Sequence, residues 1–180
     1  MSIPAIEIVK EFFIINDFYI ITKDGFLVVK NSKKIFKEIE EFIIEKEKIN
    51  FINKAIVKPI SWHTLKFTPS VIKKFYEEIF EITFEKTNKI LKNLDEDNYK
   101  KIIVIPGLPA TTSLRNESIK IMKEKGIGHV ILFHTIISGL IEKIDARKLY
   151  QSQTLEIIRI LKFYKFFSNK KFEKLLFNEK

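Results

Sequence analysis

The fold turns on residues 101–133, KIIVIPGLPATTSLRNESIKIMKEKGIGHVILF. Residues 101–105 (Lys-Ile-Ile-Val-Ile) form an unbroken apolar run, as a strand buried on both faces requires. Pro106-Gly107 breaks the run, and a helical pattern from about Ser113 to Lys125 stops at Gly126, a residue suited to a left-handed helix end. Residues 129–133 (His-Val-Ile-Leu-Phe) form a second buried strand. Strand, helix, strand in about thirty residues is a βαβ unit, which sets two strands parallel.

Upstream of this unit, the spacing of apolar residues predicts a heavily buried helix over 4–15, with Ser2 as cap and Pro4 in the first turn. Asn16-Asp17 ends it. Residues 18–22 and 26–30 read as a hairpin turning at Asp24-Gly25, a pair that tolerates positive φ. Ile35, Phe36, Ile39, Phe42 and Ile43 predict a helix over 33–48, and residues 51–58 a third strand ending at Pro59. Thr68-Pro69 opens a long helix to about Leu94, and residues 95–98 are a polar turn. Downstream, helices are expected over 135–144 and 152–167. The fold class is therefore α/β: a mixed central sheet, an antiparallel hairpin plus parallel βα units, flanked by helices. Residues 1–150 read as one α/β domain, and 151–180 as a basic, aromatic helical extension packed on it or on a partner.

Composition excludes several classes. Of 180 residues, 46% are hydrophobic and only 5 are Gly and 5 Pro, which rules out collagen-like and disordered chains. The absence of cysteine removes disulfides, thiolate metal sites and cysteine nucleophiles. No apolar run reaches the roughly 18 residues of a membrane span, and the start lacks a signal peptide's pattern. The expectation is a soluble, cytoplasmic protein without a membrane span. The formal charge is +9, and its excess sits late: residues 146–180 hold 9 basic and 3 acidic residues. A clustered positive face attracts polyanions. Lys outnumbers Arg 29 to 3, a bias that A/T-rich coding or a thermophilic composition also produces.

Several chemistries lack their signatures. There is no phosphate loop, dinucleotide fingerprint or nucleophile elbow. His129 and His134 flank one strand without a carboxylate at ligand spacing and read as polar residues at a sheet edge, so no metal is assigned to them.

The order helix, hairpin, strand, helix, strand over residues 4–133 resembles the core of the PD-(D/E)XK, or restriction endonuclease-like, superfamily, which includes archaeal Holliday-junction resolvases. In that family a helix acid, a second-strand acid and an acid-x-Lys motif on the third strand hold a divalent metal at the scissile phosphate. Hard Mg²⁺ needs the paired oxygens, and the metal polarises the phosphate. The resemblance implies that Glu7 is the helix acid, Asp24 the second-strand acid and Lys58 the motif lysine, in Ile56-Val57-Lys58. The chain departs from the pattern at Ile56, which stands where the family has Asp or Glu and cannot ligate a cation. The resemblance thus implies a scaffold with remnant catalytic residues and no bound cofactor. An active nuclease would need Mg²⁺ or Mn²⁺ and an acid from elsewhere.

Two segments carry binding candidates. Residues 61–69 (Ser-Trp-His-Thr-Leu-Lys-Phe-Thr-Pro) hold the single Trp. Trp62 could stack on bases while His63 and Lys66 meet phosphate, or Trp62 and Phe67 could close the core under the loop. The late helix interleaves Arg159, Lys162 and Lys165 with Phe163, Tyr164, Phe166 and Phe167, whose aromatics spread around the helix and so favour burial against the domain or another subunit. The expected nucleic-acid contacts are Lys58, Trp62, His63, Lys66, Arg147, Arg159, Lys162 and Lys165, reading backbone or shape. A protein partner, in a larger complex or as a homodimer, is the alternative.

Overall fold

The computed structural model describes residues 3–23, 26–31, 54–83 and 99–167. The expectations for Ser2, the Asp24-Gly25 turn, the 33–48 helix, residues 95–98 and the segment after 167 lie outside these residues. Helix α1 (Ile3–Ile15) leads into a hairpin of β1 (Phe18–Lys23) and β2 (Phe26–Asn31). Strand β3 (Lys54–Pro59) is followed by α2 (Pro69–Lys74), α3 (Tyr76–Phe80) and a 3₁₀ turn (Glu81–Thr83). Then come β4 (Lys100–Ile105), α4 (Thr112–Glu124), β5 (His129–Leu132), α5 (Phe133–Lys143) and α6 (Gln153–Phe163).

The five strands form one sheet in the order β1-β2-β3-β4-β5. The first three pair antiparallel, while β3, β4 and β5 run parallel. This is the mixed α/β sheet expected from the sequence. The parallel strands are apolar on both faces, and each face buries its own core. Leu27, Val29, Val57, Ile102, Val104 and Ile131 pack under α1, α5 and α6 through Phe12, Phe13, Ile136, Leu140, Leu155 and Ile158. Val28, Ile56, Ile103, Ile105 and Val130 pack under α2, α3 and α4 through Ile72, Ile79, Phe80 and Met122. Strand periodicity therefore assigns each residue of β3 to a layer: Val57 to the first, Ile56 and Lys58 to the second.

The stops are local chemistry. Asn16 Nδ2 donates to Phe12 O at 2.7 Å, and Asp17 takes φ 65°, closing α1. Gly126 at φ 81° closes α4, with Ile127 N bonded to Met122 O. Within the predicted helix 68–94, the described part is not continuous. Thr68 caps α2 through Val71 N as expected, but the helix breaks at Phe75 (φ −110°, ψ 35°) and resumes as α3. The break turns Phe75 toward Trp62, 4.7 Å away between ring centroids, so tertiary packing overrides the helical pattern. Helix α5 begins directly at the end of β5, two residues before the expected start. No helix among the described residues is long and apolar enough to cross a membrane.

Candidate functional site

The C-terminal ends of β3, β4 and β5 meet the start of β2 at one edge of the sheet, where open α/β sheets commonly hold their ligands. Lys58 occupies this edge. Its side chain is buried, with the ammonium donating to Glu81 Oε2 and to the Glu78 carbonyl, each at 2.5 Å, and sitting 5.3 Å from the Phe26 ring centroid. The 3₁₀ turn after α3 places Glu81 there, 23 residues along the chain. Ile56, two residues before Lys58 on the same face, is fully buried among Phe67, Ile72 and Ile103. A cavity of about 210 Å³, lined by Lys58, Ser61, Trp62, Glu78 and Glu81 among others, opens beside the pair.

This geometry corrects two expectations. Lys58 is not a free phosphate contact, because its charge is already met by Glu81. Glu7 does not converge on it either: α1 covers the opposite face of the sheet, and Glu7 pairs with Lys10 at 3.2 Å. Asp24 lies outside the described residues. Among the described residues no group of three or more His, Asp or Glu side chains gathers as a metal site, and Ile56 is locked in the core.

The loop 60–68 is pinned to its neighbours. Ile60 N donates to Val104 O at 2.8 Å and Phe67 N to Gly107 O at 2.9 Å. Phe67 is fully buried, and Trp62 is half-buried against Phe67 (6.0 Å) and Phe75. Trp62 therefore closes the core under the loop with one side and lines the cavity beside Lys58 with the other. His63 packs edge-on to Phe133 at 4.5 Å, and Lys66 is exposed.

On the first face, a groove of about 720 Å³ runs between α5, the end of α6 and this loop. Phe133, Ile137 and Ile141 form an apolar row along α5, and His134, Ser138 and Glu142 a polar row beside it. His63, Pro106, Lys162 and Phe167 complete the walls. Four-residue spacing puts each row on one strip of the helix. The sequence carries this double spacing in residues 133–142, where a strand end at 133 and a helix from 135 were expected.

The remaining cations divide. Arg159 donates two hydrogen bonds to Glu156, at 2.8 and 2.6 Å, and a third to Ala146 O. Lys162 Nζ donates to Ile141 O and Ile144 O at 2.7 Å and to Glu142 O at 3.3 Å, tying α6 to the last turn of α5. Both tie elements within the domain. Arg147 and Lys165 are exposed. Helix α6 packs on the domain through Leu155 and Ile158, and Phe167 is partly buried there too, while Phe163, Tyr164 and Phe166 are exposed on this chain. Among the described residues, Ile157, Ile160, Phe163 and Tyr164 leave an exposed apolar stripe on α6.

No family model, curated protein or solved structure matches this chain.

The sheet edge holds one polar group that the expected contacts omit. Residues 110–117 are all exposed and contain Thr111, Thr112, Ser113, Arg115 and Asn116 at the start of α4, where no side chain caps the helix. The Phe67–Gly107 hydrogen bond holds the loop carrying Lys66 against the segment leading into them. The readable signal was a Thr-Thr-Ser run with one of only three arginines, following Pro109-Ala110.

Proposed function

We propose that this chain is a nucleic-acid-associated protein on a nuclease-like scaffold, gripping backbone without cutting it. The observation that carries the reading is the pairing at the sheet edge. Exposed hydroxyls and Arg115 begin α4 beside the exposed Lys66, while the would-be catalytic lysine is sealed by Glu81 next to a buried isoleucine. Hydroxyl, guanidinium and ammonium groups on an exposed helix start suit phosphate oxygens, which carry no base identity. The net charge of +9 adds long-range attraction.

Fluorescence anisotropy with labelled duplex and single-stranded DNA and RNA tests it. Affinity should fall steeply with salt, and Lys66→Ala with Arg115→Ala should weaken binding about uniformly across sequences and lower the salt slope by about 2. Binding indifferent to both substitutions, or cleavage with Mg²⁺ or Mn²⁺ that Lys58→Ala abolishes, would replace this reading with another site or with an active nuclease.

A second reading rests on the uncovered stripe of α6. Ile157, Ile160, Phe163 and Tyr164 would serve a protein partner or a second copy. Sedimentation at rising concentration, with Ile157→Glu as control, separates the self-association arm.

A further inference from the structure

We propose that the groove on α5 is a docking site for the chain's own segment 168–180, whose Phe172, Leu175 and Leu176 seat against Phe133, Ile137 and Ile141. This goes beyond the nucleic-acid reading and does not depend on it.

Four observations converge. First, Phe167 lines the groove and is the last described residue, so the segment starts at the groove wall. Second, the chain turns there: Lys165 takes φ 60° and Phe166 N bonds Leu161 O at 2.9 Å, which ends α6 and swings Phe167 toward α5. Third, the sequence Ser-Asn-Lys-Lys-Phe-Glu-Lys-Leu-Leu-Phe follows, with Phe172, Leu175 and Leu176 at i, i+3 and i+4, the spacing that puts them on one face of a helix. That face matches the apolar row Phe133, Ile137, Ile141 in kind. Fourth, Lys170 and Lys171 precede it, and the groove's exposed carboxylate is Glu142, while the lysine on its wall, Lys162, is held by three carbonyls.

Reach permits the contact. Five residues from Phe167 to Phe172 span up to about 17 Å, and eight residues of α5 from Phe133 to Ile141 rise about 12 Å. The tether also raises the local concentration to the millimolar range, so a weak contact suffices. A second copy would instead lose translational freedom and bring together two chains of charge +9.

The cysteine-free chain makes the test clean. Ser138→Cys with Leu175→Cys, in the full chain, should oxidise to an intramolecular disulfide at least tenfold faster than Ser113→Cys with Leu175→Cys, because Ser113 lies on α4 across the sheet. Cross-links between copies, or equal rates for both pairs, would overturn the proposal. A second variant, Leu175→Asp with Leu176→Asp, should raise the uptake of the apolar dye 8-anilinonaphthalene-1-sulfonate several-fold. Dye uptake unchanged from the parent would mean that the groove was open to small molecules all along, which also overturns it.

Discussion

Glu81→Ala strips the carboxylate from an ammonium that is almost wholly buried. Lys58 Nζ keeps the Glu78 carbonyl, but its side chain is only 5% exposed. Breaking a buried pair by removing one partner typically costs about 3–5 kcal/mol. Glu81 is itself 44% exposed, so water already screens the pair and can move in. Halving for that exposure leaves a loss of about 2 kcal/mol, or about 4–8 °C in Tm for a domain of this size. Lys58→Met behaves differently: it removes the charge, keeps most of the volume, and leaves Glu81 facing solvent. Its effect should stay within about 1 kcal/mol of zero. The double variant should recover most of what Glu81→Ala loses. Urea unfolding followed by circular dichroism reads all three as midpoint shifts at constant m. If Lys58→Met loses as much as Glu81→Ala, packing of the lysine stem sets the energy, and the argument from desolvated charge is wrong.

Two further outcomes follow from the α1–α5–α6 layer. Gly139→Ala should destabilise by about 1–3 kcal/mol although alanine favours helices, because a Cβ there would lie 2.5 Å from the fully buried Phe12 ring; a calorimetric gain in Tm would show that the ring yields. Hydrogen bonds from Arg159, opposed by desolvation and helped by Tyr150 N, hold the Glu156 carboxyl below its ordinary value. A depressed carboxyl contributes its stability in full above the unfolded-state value and loses it as pH falls through the lowered folded value. The α6 tie should therefore stay constant through neutrality and weaken only in acid, and a carbon-detected NMR titration placing Glu156 at or above the ordinary range would contradict this.

The strands were legible because their burial is written in consecutive residues. Residues 101–105 and 129–132 are apolar at every position or nearly so, and Gly126 marks the stop between them. The break at Phe75 was not legible, since Ile72, Phe75, Ile79 and Ile82 keep helical spacing across it; what stops the helix is Trp62, a residue from another loop. The site divided in the same way. Arg159 and Glu156 stand three apart on one helix, and their pairing could have been read locally. Lys58 meets Glu81 only through the crossover from β3, and Lys162 meets carbonyls of α5. A cation's partner across the fold leaves no mark beside it in the sequence, so buried and free lysines look alike there. Lys58 and Lys162, two of the eight expected nucleic-acid contacts, are held by partners of that kind.

The three carbonyls around Lys162 give the molecule a timer. Amine-acylating reagents consume a lysine at the rate at which its nitrogen comes free, so exposed lysines such as Lys66, Lys120 and Lys165 would react in a first wave. Lys162 and Lys58 would trail it, each released only when its end of the structure loosens. Peptide mapping across a labelling time course would then read the opening of the two layers separately, with no substitution introduced.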